Sequence, residues 1–422
     1  MSEEMAPGTI DGLRAVVADG VRLLDPPERT GGSRLLARVE PSSGEELAEC
    51  LGVFARCREP VLVTGAETQL DLGNPARGVS VVLSCRRLRG IVELDAADGV
   101  VQVSAGTPLA ELDREVEAQG WLLPLDPPNR GGTVGGALAT AICGPRQRGF
   151  GPVRDAVLGM DTVMASGART RCGARVVKNV TGYDLAKLYV GSLGTLAVME
   201  KVWLRLKPIP ASIRVLEVDP LDAQQAFGLA VAAGRRSSAR AVALVGPEPG
   251  TEKKNSDRWR LVAEFAGEAA ATDADANWLA AGRPAKAGSE ASIEAVRVLQ
   301  GERRPMGLKV RMHLLPGALA AACVDLQAYG ARVLAYPEPG VVHASFEPKG
   351  ESTPDWLPGV LGRLEEISVA AGGQWVVEAL PEEARADWDV FAGASGLALM
   401  RSIKERFDPD AILNPGRFAG RI

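Results

Sequence analysis

The apolar positions of the chain recur at two spacings, one typical of helices and one typical of strands. Ser42 and Ser43 are each followed three residues later by a glutamate, which predicts the start of a helix. A second helix is predicted from Thr107, a natural N-cap, with Pro108 at its first position and Gly120 at its end. Around these helices, apolar or alternating runs predict strands at residues 60–63, 79–83, 90–95, 100–104 and 197–204.

From residue 212 onward the pattern changes to an order of strand, helix, strand, strand and helix that occurs twice. The first set is predicted at residues 213–218, 223–233, 241–245, 259–265 and 277–281, and the second at 308–314, 318–329, 333–336, 341–346, 357–371 and 375–379. This order predicts an α+β domain in which two ferredoxin-like halves share an antiparallel sheet. Polar stretches at 248–257 and 282–289 are predicted to be surface loops.

Charge and composition exclude several classes of protein. With 48 basic and 53 acidic residues, the net charge of −5 favours neither nucleic acid nor an anionic membrane as a partner. The acidic start of the chain lacks the features of an export signal, and no apolar run has the length of a membrane-spanning helix. We therefore expect a cytoplasmic protein without direct membrane insertion, whose association with a membrane would come through partners.

Cysteine and histidine usage limits the chemistry further. The six cysteines form no CxxC pair and no cluster, so no iron–sulfur centre is encoded, and we expect no metal site. His313 and His343 are the two histidines of the chain. A mechanism with two imidazoles would have to use both.

Two glycine-rich segments are candidates for contacts with a nucleotide. They lie at residues 127–136 and 178–196, and the second leads directly into a predicted strand. Glycines at this density let backbone N–H groups converge on an anion, and the hydroxyl groups of Ser192 and Thr195 could bind a phosphate or a ribose. Glycines also form tight turns, so taken alone the segments leave a simple turn open.

In their order along the chain, these segments resemble the FAD-binding family typified by vanillyl-alcohol oxidase and p-cresol methylhydroxylase. Within that family they are most similar to the FAD-binding E subunits of bacterial glycolate oxidases. The residues that carry the resemblance are the loop at 64–69, the Gly-Thr-Val-Gly-Gly run at 132–136, the segments 105–112 and 177–185, the Gly-Ser-Leu-Gly-Thr run at 191–195, and Asn-Pro-Gly at 414–416.

The resemblance implies an FAD-binding domain of the p-cresol methylhydroxylase type, made of two subdomains, and a cap domain over the flavin ring. We expect an irregular lead-in at residues 1–37, the FAD-binding domain at 38–210, the cap at 211–398, and a C-terminal segment at 399–422 that returns to the FAD-binding domain. The first loop and the 132–136 run would cradle the pyrophosphate with backbone N–H groups. No histidine precedes residue 313, so the FAD would be noncovalent.

The resemblance also implies a set of cofactor-binding residues. They are Gly65, Ala66, Glu67, Thr68, Gln69, Pro128, Thr133, Val134, Gly135, Gly136, Gly144, Gly182, Asp184, Leu185, Ser192, Gly194, Thr195, Val198 and Asn414, with the backbone near Val198 facing the adenine. Glu67 departs from the glycines that are usual in this loop, and we expect its side chain to point to solvent.

The sequence assigns no catalytic residue. Members of the family that oxidise 2-hydroxy acids carry several histidines and an acid in the cap, and here His343 lacks a second partner. Lys309, Arg311 and His313 alternate on one strand and could offer two cations and a base, but the prediction for them is a solvated strand face.

The function that this resemblance implies is that of an FAD-binding subunit of a glycolate oxidase complex, which acts on a small 2-hydroxy acid. A homologous catalytic flavoprotein and an iron–sulfur subunit would be its partners. Two alternatives stay open: an independent FAD-dependent dehydrogenase of the D-lactate type, and a structural subunit without flavin.

Overall fold

The computed structural model describes residues 5–30, 33–175, 184–249, 258–303, 306–348, 356–391 and 394–422. In this part of the chain, sheets of four, five and eight strands form two small subdomains and a larger cap. Helices and strands both contribute throughout, so the α+β class predicted from the sequence is confirmed. Within the same residues, no helix combines the length and the apolar character needed to cross a bilayer.

The first subdomain pairs two helices with a four-stranded sheet. Its elements are α1 (Thr9–Val16), β1 (Val21–Thr30), β2 (Ser33–Val39), α2 (Gly44–Cys57), β3 (Val61–Thr64) and β4 (Val81–Ser84), and the sheet order is β1-β2-β4-β3. Ser43 caps α2 by accepting a hydrogen bond from the N–H of Glu46 at 3.1 Å. Leu47, Leu51 and Phe54 are fully buried against the sheet.

The first 37 residues are not the irregular lead-in that the sequence predicted, since α1, β1 and most of β2 lie within them. Leu13 of α1 is fully buried in the core of the first subdomain. The strand signal is weak for a physical reason. β1 contains Pro26 and Pro27, and its pairing with β2 shifts register between Leu23 and Glu28, which interrupts the alternation of apolar and polar positions.

The second subdomain is built on a five-stranded antiparallel sheet. Its elements are β5 (Ile91–Asp95), β6 (Val100–Ser104), α3 (Leu109–Glu117), β7 (Trp121–Leu122), α4 (Val134–Thr140), α5 (Gln147–Phe150), β8 (Val157–Val163), β9 (Arg169–Gly173), α6 (Leu185–Tyr189), β10 (Val198–Arg205) and β11 (Lys207–Pro208). The sheet order is β5-β6-β10-β8-β9. Thr107 does not cap α3 as predicted, because its hydroxyl accepts the N–H of Gly90 at 2.9 Å instead.

The cap is an eight-stranded antiparallel sheet with helices on both faces. Its elements are β12 (Ser212–Leu221), α7 (Ala223–Gly234), β13 (Ala239–Val245), β14 (Trp259–Gly267), α8 (Ala269–Ala280), β15 (Ala285–Ala287), α9 (Glu290–Gly301), β16 (Leu308–His313), α10 (Leu319–Ala328), β17 (Arg332–Tyr336), β18 (Val341–Phe346), α11 (Leu357–Ala370) and β19 (Gln374–Ala379). The sheet order, β15-β12-β14-β13-β17-β18-β16-β19, places the strands of each half in the order fourth, first, third, second. The prediction of two ferredoxin-like halves is confirmed.

Two elements of the cap depart from the sequence prediction. β15 lies inside the 282–289 stretch that was predicted to be a loop, and it pairs with β12 as a short edge strand. α9 was not predicted at all. Its buried residues include Arg297 and Gln300 beside Ile293 and Val296, so no purely apolar face marks it in the sequence.

The two faces of the cap sheet have different environments. One packs on α7, α8, α10 and α11 in the largest core of the protein, where Trp259 is fully buried and its ring meets that of Phe227 edge to face at 5.0 Å. The other packs partly on α9 through residues such as Leu334 and Ile293. The rest of this second face carries polar side chains that lie over the two subdomains.

The C-terminal segment returns to the first subdomain. It contains α12 (Leu397–Phe407), after which Leu413 forms a parallel bridge with Val61 of β3. The return begins earlier than the expected boundary at 399, because Arg385 donates to Asp71 at 3.0 Å and Asn74 donates to Asp389 at 2.8 Å.

Candidate functional site

The loop that follows β3 offers free backbone N–H groups. Those of residues 65–68 donate no hydrogen bond to any other described residue. Glu67, which has a left-handed φ of 63°, does not point to solvent as predicted. Its carboxylate pairs with Arg38 and accepts the hydroxyl of Thr64 at 3.2 Å. The carboxylate of Glu67 is therefore engaged by Arg38 and Thr64, and the N–H groups of the loop are free to bind an anion.

Glycines in this region are required where two chain segments meet. A Cβ on Gly65 would lie 2.3 Å from Oγ1 of Thr133, and one on Gly135 would lie 3.0 Å from the carbonyl oxygen of Ala105. Three N–H groups of the second segment, those of residues 134–136, are engaged within the protein. The N–H of Gly135 donates to Ala105 at 2.7 Å, and that of Gly136 donates to Thr133 at 3.2 Å.

The N–H of Val134 is engaged in the same way, since it donates to the carbonyl of Thr107 at 2.9 Å. The N–H groups of Gly132 and Thr133 donate no hydrogen bond to any described residue, so the 132–136 run combines close packing with two free donors. The expectation that both segments cradle a pyrophosphate with backbone N–H groups stays a prediction, for which the first loop, Gly132 and Thr133 offer free donors.

Asn414 joins the C-terminal segment to both subdomains. Its side-chain oxygen accepts the N–H of Val63 at 2.7 Å, and its side-chain nitrogen donates to the carbonyl of Leu193 at 2.7 Å. A Cβ on Gly194 would lie 2.8 Å from that nitrogen, which explains the glycine at this position. The side chain is 2% exposed, so these bonds form in a nearly dry environment.

Between the first loop, the glycine run and Asn414 lies a long groove with two sections, of about 670 and 470 Å³. The sections share walls formed by Val63, Thr64, Gly65, Thr133, Gly136, Ala139, Leu193 and Asn414. The first section continues past Gln69 to Asn129, Ile142 and Arg417. The second continues to Ala197, Val198 and Met199 at the start of β10.

The cap closes the far end of the first section. From α9, Gln300 donates to the carbonyl of Cys143 at 2.8 Å, next to Ile142 in the wall of the groove. Just after α9, Arg303 donates to the side-chain oxygen of Gln69 at 2.6 Å. One end of the groove is therefore bordered by the end of α9 and by Arg303 of the cap.

Four polar side chains lie together on the cap face that looks toward the subdomains, and we call them the cap cluster: Lys309, Arg311, His343 and Glu378. Three of them are buried, with exposures of 4% for Lys309, 3% for His343 and 5% for Glu378. The prediction of a solvated strand face at 309–313 is therefore wrong for Lys309. The sequence did not reveal this because the burying surface comes from distant parts of the chain.

Hydrogen bonds and ion pairs hold the cap cluster together. His343 and Glu378 are joined by a hydrogen bond between Nδ1 and Oε2 at 3.1 Å, and Nε of Arg311 lies 3.3 Å from the other carboxylate oxygen. The ammonium group of Lys309 donates to the carbonyl oxygens of Gln300 and Glu302. With His343 neutral, the four side chains carry one net positive charge.

The pKa shifts in the cluster follow from burial and charge. Burial lowers the pKa of Lys309 to about 8 and also lowers the pKa of His343. Burial alone would raise the pKa of Glu378, but His343, Arg311 and Lys309 together hold that pKa below its ordinary value. An ionised Glu378 can only accept, so Nδ1 of His343 carries the proton and Nε2, which is buried without a partner among the described residues, has a free lone pair.

Comparison with known protein families identifies the groove. Residues 35–173 match the family described as FAD binding domain, and residues 385–418 match FAD linked oxidases, C-terminal domain. The chain therefore carries an FAD binding domain and the C-terminal domain of FAD linked oxidases. FAD is its cofactor, and the structure fits this ligand: free N–H groups at residues 65–68 suit a pyrophosphate, and the groove runs to either side of them.

Several relatives of this flavoprotein have names that refer to small 2-hydroxy acids. Glycolate oxidase subunit GlcE of Escherichia coli (strain K12) is 37% identical over 36% of this chain and 44% of its own length. D-lactate dehydrogenase of Archaeoglobus fulgidus is 33% identical over 52% of this chain and 50% of its own. The chain thus spans about half, or less, of the length of these curated relatives. Glycolate oxidase subunit GlcD of Bacillus subtilis (strain 168) is 24% identical over 90% of this chain and 88% of its own.

Solved structures share the fold of the flavoprotein. p-Cresol methylhydroxylase with substrate bound has a TM-score of 0.73 at 16% identity, covering 99% of this chain and 98% of its own. Alkyldihydroxyacetonephosphate synthase has a TM-score of 0.72 at 16% identity, covering 98% of this chain and 86% of its own. The fold expected from the sequence, two FAD-binding subdomains with a cap, is confirmed.

The flavin groove gathers many of the cofactor-binding residues predicted from the sequence. Those that line it are Gly65, Ala66, Glu67, Thr68, Gln69, Thr133, Gly135, Gly136, Gly194, Val198 and Asn414. Their contacts with FAD stay a proposal.

The other predicted residues do not line either section of the groove. Val134 is buried, Pro128 lies against Gly301 of α9, and Gly144 packs on Asp126. Ser192 and Thr195 are buried with their hydroxyls bonded to backbone carbonyls, while Asp184 and Leu185 are exposed at the start of α6. Gly182 lies outside the described residues.

Sequence reasoning missed parts of both sites. In the groove it missed Leu109, Asn129, Ile142, Leu193 and Arg417. In the cap cluster it missed Glu378, whose strand was predicted but whose partner His343 lies 35 residues away. An acid inside an otherwise apolar strand was the available signal. Among the described residues, no group of three or more candidate ligands could hold a metal ion.

Proposed function

We propose that this flavoprotein is the FAD-binding subunit of a glycolate (2-hydroxy acid) oxidoreductase complex and supports the oxidation of glycolate to glyoxylate. The similarity to the GlcE and GlcD subunits supports this assignment. A homologous catalytic flavoprotein and an iron–sulfur protein are the proposed partners. The sequence has no cysteine cluster of its own, so electrons would leave through such a partner.

The observation that carries the substrate class is the position and charge of the cap cluster. The cluster is linked to the cap-covered end of the groove through Gln300, whose carbonyl accepts from Lys309 and whose side chain donates to Cys143, and its four side chains carry one net positive charge. A buried site of this kind favours a small monocarboxylate over a neutral alcohol, because the substrate charge compensates the cluster. The cluster therefore supports a 2-hydroxy acid as the ligand under the cap.

The residues of the cluster suit distinct tasks in such an oxidation. FAD held in the groove would supply the acceptor for the hydride that such an oxidation removes from the carbon bearing the hydroxyl. Nε2 of His343 can hold the proton released by that hydroxyl, and Glu378 fixes the imidazole and stabilises its protonated form. Arg311 and Lys309 can bind the carboxylate. The apolar core behind the cap sheet keeps bulk water away from this side.

A second candidate function is that of an independent FAD-dependent 2-hydroxy-acid dehydrogenase of the D-lactate type. The free lone pair of His343 favours it, because a buried neutral imidazole held by a carboxylate is a suitable general base. The similarity to D-lactate dehydrogenases agrees with this alternative. A subunit without flavin is not supported, since the groove and its free N–H groups are intact.

Tagging the chain in its native host and purifying it tests the proposal. We expect yellow protein that arrives with a related flavoprotein and an iron–sulfur protein. Turnover of glycolate and D-lactate with an artificial acceptor is then compared for the complex and the isolated chain. Fast turnover by the isolated chain would contradict the subunit assignment and favour the independent dehydrogenase.

His343→Gln separates the two candidates, with His313→Gln as its control because His313 is exposed at the end of the same face. If substrate is oxidised at this chain's own flavin, H343Q should lower kcat by about 100-fold or more, while H313Q changes it little. If oxidation takes place in the partner, both variants should leave the turnover of the complex near that of the native protein.

A further inference from the structure

Arg417 holds a buried positive charge in the wall of the groove. The residue is 4% exposed and lines the cap-covered section. Its Nη2 donates to the carbonyl oxygens of Leu70, at 3.1 Å, and Leu72. Its Nη1 is buried without a hydrogen-bond partner among the described residues. Half of the guanidinium is thus fixed by backbone, and the other half is unsatisfied.

The described part of the chain supplies little negative charge at this point. The carboxylate of Asp71 is engaged by Arg303 at 2.8 Å and by Arg385 at 3.0 Å. Burial, with Arg385 nearby, lowers the pKa of Arg417 to about 10, which still leaves the guanidinium charged at neutral pH. A buried cation without a direct anionic partner is unfavourable by itself. Its counterpart would then be a negative charge that belongs to the ligand of the groove.

The location of Arg417 distinguishes the two ends of the cofactor. The free N–H groups at residues 65–68 suit the pyrophosphate, whereas Arg417 lies beyond Gln69 at the end that the cap covers. Under the proposed function, on which this step rests, the substrate lies under the cap, so the reacting flavin ring must occupy that end.

We propose that Arg417 raises the reduction potential of the bound flavin by stabilising negative charge on its ring. Two-electron reduction of a flavin takes up two electrons and one proton, and it leaves one negative charge on the ring. A fixed cation in the wall favours that product over the neutral oxidised ring. Sulfite adds to oxidised flavin and also leaves a negative charge on the ring. For the same reason, the native protein should bind sulfite more tightly than a variant without this positive charge.

Arg417→Gln and Arg417→Lys in the FAD-loaded full-length chain test this inference. We expect R417Q to lower the equilibrium constant for two-electron reduction by 10- to 1000-fold, or about 30 to 90 mV at roughly 30 mV per tenfold change. Its affinity for sulfite should fall at least tenfold. R417K keeps the charge and should recover more than half of both losses. The readouts are potential and sulfite titration, independent of turnover.

Asp71→Asn provides a test of opposite sign that does not disturb Arg417 itself. Its side chain is 54% exposed, and because it pairs with Arg303 of the cap and with Arg385, urea denaturation first checks that D71N keeps the stability of the native protein. Removing this negative charge should raise the potential and tighten sulfite binding. Arg240→Gln is the control: Arg240 is 9% exposed, pairs with Glu264 on the cap and lines neither section of the groove, so the potential should stay unchanged.

The outcomes separate this inference from the proposed function. If R417Q weakens FAD binding but leaves the potential and sulfite affinity unchanged, Arg417 serves the pyrophosphate or the fold, and the inference is overturned. If R417Q fails to fold, an unchanged potential in D71N overturns it. If the native chain binds no FAD, both the inference and the proposed function are overturned. If only the variants give the contrary result, the inference fails and the proposed function stands.

Discussion

At the scale of single residues, the flavin groove depends on contacts that leave no room for an added atom. A Cβ added at Gly65 or at Gly194 would lie within 3 Å of a side-chain atom that is itself hydrogen-bonded. Sequence reasoning found these positions because glycine-rich loops are rare and have few uses. It could not find Glu378 or Arg417, since their meaning comes from neighbours that lie far away in the chain.

Gly65→Ala should weaken FAD binding by about tenfold or more, roughly 1.4 kcal/mol. The φ of Gly65 is not left-handed, so the effect is purely steric. The new methyl group would meet Oγ1 of Thr133, displace it from the N–H of Gly136 and move the loop that holds the free N–H groups. Titration of the apoprotein with FAD, followed by flavin fluorescence, measures the loss.

Gly228→Ala is the matched control for this experiment. Gly228 lies inside α7, and an added Cβ there meets nothing within 4 Å. Alanine favours a helix over glycine, so stability should stay the same or rise, with FAD affinity unchanged. Equal FAD affinities for G65A and G228A would refute the steric account of the loop.

At the scale of elements, the hydrophobic pattern predicted the regular parts of the fold better than the parts that position the site. The two halves of the cap could be read from alternation, because their strands bury one continuous apolar face. α9 could not, since its buried face includes the ion pair between Arg297 and Asp126 at 2.7 Å. The C-terminal segment likewise depends on polar contacts that no periodicity reveals.

Lys404→Met should destabilise the protein by about 3 to 5 kcal/mol. The ammonium group of Lys404 donates to the carbonyls of Thr195 at 2.8 Å and Leu413 at 2.9 Å and pairs with Asp408. Removing it leaves the carboxylate of Asp408 buried without its cation. The free energy of unfolding from urea denaturation gives the loss.

Lys187→Met is the corresponding control, because Lys187 and Asp184 also form a helical ion pair but are exposed. An exposed pair contributes about 0 to 1 kcal/mol, so K187M should unfold close to the native protein. If both variants lose the same small amount, Lys404 does not anchor the C-terminal segment.

At the scale of the whole molecule, ion pairs between the cap and the FAD-binding subdomains fix the roof of the groove. Arg146 of the second subdomain lies 2.8 Å from Glu264 of β14, and Arg303 of the cap lies 2.8 Å from Asp71 of the first subdomain. The covered end of the groove is thus part of one connected structure, and its geometry depends on charges that acid can remove.

Acid should destabilise this arrangement through Glu264. Burial alone would raise the pKa of Glu264, but Arg146 and Arg240 outweigh burial and lower it below the ordinary value of 4.5. The stabilisation is therefore present above about pH 4.5 and is lost as the pH falls toward the lowered pKa. The Glu264→Gln variant should be less stable than the native protein at neutral pH. Between about pH 5 and pH 3, its free energy of unfolding should fall by less than that of the native protein.

Urea denaturation across this pH range measures how the free energy of unfolding of each protein changes with pH. Glu290→Gln serves as the control, since Glu290 also contacts Arg146 but its side chain is 62% exposed. Its pH profile should run parallel to that of the native protein, within about 1 kcal/mol. Parallel profiles for E264Q and the native protein would show that acid acts elsewhere.

The bond between Val63 and Asn414 joins residues that are 351 positions apart in the chain. During translation, the ribosome releases the loop at 65–68, both subdomains and the cap long before it releases Asn414. A nascent chain therefore cannot close the groove, whatever it has already folded. FAD can therefore meet a complete groove only after Asn414 has been made, and the cap can form while that wall of the groove is still incomplete.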